Sequence, residues 1–163
     1  MDPLAWLGLG KTKGDPHRLD VVRRAVEELM PSDEPVLHRY ITCVAVLLAR
    51  VAHADGALDQ AEVARLHELL QRIDGLPASG IASLCELLSD TAPKLGEEAW
   101  TLCYRELKTL CDAGERRQVL RLLASEAAAD GRLDGAERRM LAEVATALGV
   151  DARDLDAILG DEG

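Results

Sequence analysis

Ala52-His53-Ala54-Asp55-Gly56-Ala57-Leu58-Asp59-Gln60-Ala61-Glu62 returns 75 residues later as Ala127-Ala128-Ala129-Asp130-Gly131-Arg132-Leu133-Asp134-Gly135-Ala136-Glu137, with eight of eleven positions identical. A repeat of that quality points to an internally duplicated unit. In each copy an apolar helical run ends, the chain turns at Asp-Gly, and a second helix begins. Asp59-x-x-Glu62 and Asp134-x-x-Glu137 both have the spacing of a capping box, in which cap carboxylate and glutamate satisfy each other's backbone N–H groups. Gly56 and Gly131 suit the left-handed residue that closes the preceding helix, and Leu58 and Leu133 would staple each turn to the core.

Helical spacing continues on both sides of the repeats. Asp15-Pro16 combines a cap with proline at the first helical position, followed by Leu19, Val22, Val26 and Leu29. After Pro31 to Pro35, the stripe Leu37, Ile41, Val44, Leu48 and Val51 leads into the first turn. Beyond it Val63, Leu66, Leu70 and Ile73 precede a stop at Gly75-Leu76-Pro77, and Ser79 is placed to cap a helix with Ile81, Leu84, Leu87 and Leu88 inward. Pro93 breaks the chain before the helix of Trp100, Cys103, Leu107, Leu110 and Cys111, and Ala113-Gly114 is expected to end that helix. Val119, Leu122, Leu123 and Ala127 approach the second turn. Met140, Leu141, Val144 and Leu148 leave it, Gly149 stops that helix, and Asp151 caps a last one with Leu155, Ile158 and Leu159. No alternating β-branched run competes, so the expected fold is all-α: one bundle of about seven to nine helices. Residues 1–14 form an N-terminal lead and residues 15–161 the helical domain.

Composition narrows the function. The 163 residues are 48% apolar and 29% charged, enough for one domain with a core and a solvated surface. A formal net charge of -10 disfavours nucleic acid, because phosphate neutralisation needs a basic face. No Phe, two Trp and two Tyr leave no aromatic platform for bases. Cys43, Cys85, Cys103 and Cys111 stand apart on apolar helix faces, which reads as reduced core thiols and points to the cytoplasm. No apolar run is seen to approach a membrane span, and no signal peptide is seen. The lead Pro3-Leu4-Ala5-Trp6-Leu7-Gly8-Leu9-Gly10, followed by Lys11 and Lys13, suits peripheral docking on a bilayer or partner. The competing reading is a short first helix capping the core, since eight residues with two glycines bind membranes weakly.

The acidic turns are the candidate site. Laid on a twelve-residue calcium loop, Asp55 or Asp130 falls at the fifth position, Asp59 or Asp134 at the ninth and Glu62 or Glu137 at the twelfth. Val51 and His53 in one copy, and Glu126 and Ala128 in the other, occupy the first and third positions, so neither copy is a complete loop. A looser divalent-cation site, with calcium as the model ion, remains open if the two turns approach and pool carboxylates; a purely structural role for the turns remains open beside it. One nearby histidine disfavours zinc or copper. His17, His38, His53 and His67 have no nucleophile signature beside them, no phosphate-binding loop or His-Glu-x-x-His is present, and no enzyme activity is expected. His53 reads as a half-exposed residue at a helix end. Arg116, Arg117, Arg121, Arg138 and Arg139 read as a solvated face balanced by Glu115, Glu126 and Glu143.

Paired Ala-Asp-Gly-x-(hydrophobic)-(Asp/Ser)-x-x-Glu helix junctions in an all-helical domain of this size resemble the tellurite-resistance TerB family, over approximately Asp15 to Asp161. A similar domain forms the N-terminal part of DjlA-type co-chaperones, although this chain has no His-Pro-Asp tripeptide. The resemblance implies a non-enzymatic cytoplasmic stress-response protein, a membrane partner of the TerC type, and an acidic metal site at Asp55, Asp59, Glu62, Asp130, Asp134 and Glu137. A metal-independent protein–protein interaction module, recruited to a membrane or defence complex, is the alternative.

Overall fold

A computed structural model describes residues 16–31, 34–52, 60–73, 75–128 and 133–162, with the side chains of 16–18 and 161–162 left aside. The described residues contain eight α-helices and no strand: α1 (Pro16–Leu29), α2 (Pro35–Ala52), α3 (Gln60–Gln71), α4 (Ala78–Thr91), α5 (Glu97–Leu110), α6 (Ala113–Ala127), α7 (Gly135–Leu148) and α8 (Ala152–Glu162). A short 3-10 turn over Ala92–Lys94 joins α4 to α5, where Pro93 cannot continue the α-helical hydrogen bonding.

The central helix is α2, which packs on α1, α3, α4, α5 and α6. Every residue from Ile41 to Ala49 is buried. At 18 residues it is long and apolar enough to cross a membrane by length and composition, which corrects the expectation that no run reaches that length. Because 67% of it is buried within the bundle, the same composition is that of a core helix. The two halves pack as exchanged copies. As α3 and α4 contact α2 and each other, α7 and α8 contact α6 and each other, and α2 meets α6 between them.

Local chemistry sets most helix ends. Asp134 accepts from the Glu137 N–H at 2.7 Å while Glu137 accepts from the Asp134 N–H at 3.1 Å, the reciprocal box expected from the repeat. Asp151 accepts from the Asp154 N–H at 2.9 Å. Gly149 closes α7 with φ of 74°, a conformation that strains any residue with a β-carbon. Two expectations shift. Ser79 lies inside α4, whose first flanking residue is Pro77 and which has no side-chain cap. Ala113-Gly114 does not end α5 but opens α6, because Asp112 and Glu115 form a second capping box. Gly80 lets α4 approach α1: an added β-carbon would sit 2.0 Å from Leu29 Cδ2.

Candidate functional site

Of the six acidic residues expected at the site, Asp55, Asp59 and Asp130 lie outside the described residues, as do Gly56, Gly131 and His53. Asp134 is exposed, and its carboxylate is engaged in capping α7 with Glu137. Glu62 is half-buried in the first turn of α3. Among the described residues no group of three or more His, Cys, Asp or Glu side chains is arranged to hold a metal ion.

The two halves nevertheless bring acids together. Glu126, in the last turn of α6 before the second acidic turn, is only 4% exposed, which corrects its expected place on a solvated arginine face. Its Oε2 is buried and has no hydrogen-bond partner among the described residues. Around it stand Arg65, Glu62 and Glu68, all from α3, the helix that leaves the first turn. Arg65 bonds Glu68 at 3.0 Å and the Ser125 carbonyl at 3.4 Å, holding α3 against the end of α6. Burial pushes the Glu126 pKa up to about 7, opposed by the Arg65 guanidinium and reinforced by the carboxylates of Glu62 and Glu68. With all three carboxylates ionised and one guanidinium present, the cluster is doubly negative.

A related junction forms on the other side. Arg50, at the end of α2, shares a cavity of about 590 Å³ with Asp134, Glu137, Met140 and Glu143 at the start of α7. Shifted by the repeat interval, Arg50, Glu62, Arg65 and Glu68 correspond to Ser125, Glu137, Met140 and Glu143. Each half therefore sends the end of its first long helix against the exit of the other half's turn, with an arginine at each junction but on opposite partners. Arg50 also donates to the Tyr104 hydroxyl and lies over the Trp100 ring, 5.0 Å from its centroid. Where Glu126 stands in one half, apolar Val51 stands in the other, so the buried acid belongs to one junction only.

The thiols offer no competing site. All four cysteines are free and buried, as expected. Burial pushes Cys85 and Cys111 up to about 11. A hydrogen bond with Cys103, together with burial, raises Cys43 well above the ordinary thiol value. Thiols held protonated in this way are poor nucleophiles and poor ligands. Of the histidines, His38 is buried and donates from Nε2 to the Met30 carbonyl, a tie between α2 and the end of α1.

The signal for Glu126 was partly present in the sequence, as the one oxygen donor at the first position of either calcium-loop alignment. Periodicity alone could not show that α3 of the other half covers it. A search of curated proteins and of solved structures found no match. The family model described as tellurite resistance protein TerB matches residues 42–159, from the middle of α2 into α8 and across both copies of the repeat. Duplicated acidic helix junctions, an all-helical bundle and that match together make this chain a member of the TerB family.

Proposed function

We propose that this TerB-family protein is a non-enzymatic, cytoplasmic stress-response scaffold that holds a divalent cation weakly where its two halves meet. The observation that carries the reading is Glu126: a carboxyl group with a buried oxygen lacking a hydrogen-bond partner among the described residues, in a cluster with Glu62, Glu68 and Arg65 that is doubly negative once Glu126 ionises. Leaving such a group buried is costly unless something compensates it. A hard cation with oxygen ligands would do so, and calcium, magnesium or manganese fits that donor set better than zinc. In this reading the turn aspartates Asp55, Asp59 and Asp130 supply the remaining donors around Glu62, while Asp134 and Glu137 fix the start of α7. In this reading the partner is an integral membrane protein of the TerC type, met at the inner face of the membrane.

Titration calorimetry with calcium, magnesium, manganese and zinc tests the cation. The expected dissociation constant is no tighter than roughly 10⁻⁴ M, as for weak calcium modules. At a hundredfold excess over that constant the ion would add about 2.7 kcal/mol of stability. Replacing Asp55 and Asp130 together should abolish the heat and the gain while the helices remain. Silence from all four ions would overturn the cation and leave the turns as helix punctuation. The second reading, a metal-independent interaction module, draws on one specific feature: an open groove beside Val36, which is 48% exposed.

A further inference from the structure

That groove, of about 700 Å³, runs between the start of α2, the end of α3 and one face of α6. Val36, Leu37, Tyr40, Ile73, Val119 and Leu122 supply its apolar walls. Its position follows from the duplication. On the other side of the bundle α5 lies against α2 and α7, with the Cys103 and Cys43 thiols hydrogen-bonded, Glu106 paired with Arg39 at 3.0 Å, and Tyr104 and Trp100 on Arg50. The counterparts of Cys43 and Arg50 in the second half are Gln118 and Ser125, and both line the groove. The groove is thus the copy, on α6 and α3, of the seat that α5 fills on α2 and α7. Exchange of the halves would place α1 there, but α1 packs against α2 and α4 instead.

The occupant must be apolar, short and within reach. Leu4, Trp6, Leu7 and Leu9 of the lead satisfy the first two conditions. For reach, the far end of α1 lies near the groove: His38, which holds the Met30 carbonyl, is next in sequence to the groove residue Leu37, and the side chains of Met30 and Leu37 both approach Gly75. Pro16 is one helix length away, about 21 Å at 1.5 Å per residue. The seven residues from Leu9 to Pro16 span up to about 24 Å in extended form, and the ten from Trp6 up to about 34 Å. A tether of that length also holds the segment at an effective concentration in the millimolar range, which favours it over an untethered competitor. The groove lining carries Glu34 and Glu115 together with Arg72 and Arg121, so its charge is balanced and its apolar walls select the occupant.

We propose that residues 3–9 dock in this groove with Trp6 as the anchor, so that the lead completes the second helix seat of the bundle. This inference is independent of the cation site. It is tested on the full chain by acrylamide quenching of tryptophan fluorescence, the Trp6 contribution being the difference between the parent and Trp6→Phe. Trp6 should be quenched several-fold less than free tryptophan and emit to the blue of it. Val36→Asp, at an exposed position that leaves the core alone, should return Trp6 to the quenching of free tryptophan, with the helical signal unchanged. Protection should be the same across a hundredfold dilution. Trp6 already as accessible as free tryptophan in the parent, or protection unaffected by Val36→Asp, would overturn the proposal. So would protection that vanishes on dilution, which would assign the groove to a second copy, or protection gained only with anionic vesicles, which would make the lead a membrane contact.

Discussion

Glu126→Gln should make the protein more stable at neutral and alkaline pH, although it removes a buried side-chain charge that has an arginine nearby. In the folded state the carboxyl titrates near 7 against an ordinary value of 4.5. The folded protein therefore holds its proton more tightly than the unfolded chain does. Below about pH 4.5 both states are protonated and this position carries no penalty. As pH rises from 4.5 to 7 the unfolded chain ionises first and stability falls; above about 7.5 the full penalty is present. The gap between 4.5 and about 7, at about 1.36 kcal/mol for each tenfold change in proton affinity, sets it at about 3 kcal/mol. Glutamine has nearly the same shape and cannot ionise, so the variant should gain about 2–3 kcal/mol at pH 8, a figure in which the attraction to Arg65 is already counted. It should differ little from the parent near pH 4. Urea denaturation of both proteins at half-unit steps from pH 4 to 8.5 measures the difference directly, and titrations common to both cancel. A variant no more stable than the parent at pH 8, or a difference that does not change between pH 4.5 and 7.5, would refute the assignment of Glu126 as a buried, poorly compensated acid.

Other expectations follow from single contacts. Gly80→Ala drives a methyl group into Leu29, with Cγ at 2.9 Å as well as Cδ2 at 2.0 Å, and should lower the denaturation midpoint by an amount equivalent to about 1–3 kcal/mol. Asp134→Ala and Asp112→Ala each remove half of a capping box and should cost about 1 kcal/mol by the same assay, while Ser79→Ala should be close to neutral because Ser79 caps nothing. Gly149→Ala should cost about 1 kcal/mol through its positive φ, and equal stability would mean that α7 ends in another way. Arg50→Met removes the cation over Trp100 and the bond to Tyr104; a Trp100 emission maximum that does not move would argue against that stack.

The helices were legible because their ends are written locally. Proline at the starts of α1 and α2, Asp151 before α8 and Gly149 after α7 act within one turn of themselves, so spacing and cap chemistry located them. The start of α6 was obscured because Gly114 reads as a breaker, whereas Asp112 and Glu115 on either side of it supply the cap. The site was less legible. The repeat exposes Asp59, Glu62, Asp134 and Glu137, but these are also the residues that a capping box requires, and in the second copy capping is what they do. Glu126 looked like one of many acids on an arginine-rich helix. Its burial depends on Arg65 and its neighbours in α3, 60 residues away in sequence from the Ser125 carbonyl that Arg65 holds, and no local pattern encodes that crossing.

Diffraction from crystals grown with manganese, with data collected for its anomalous signal, bears most directly on the claim that the two halves share a cation. A peak is expected between the end of α6 and the start of α3, with oxygens of Glu62 and Glu126 within about 2.6 Å of it, and it should be lost in the Glu126→Gln variant. A well-ordered protein with no peak there, or with peaks only on exposed carboxylates away from Glu126, would contradict it.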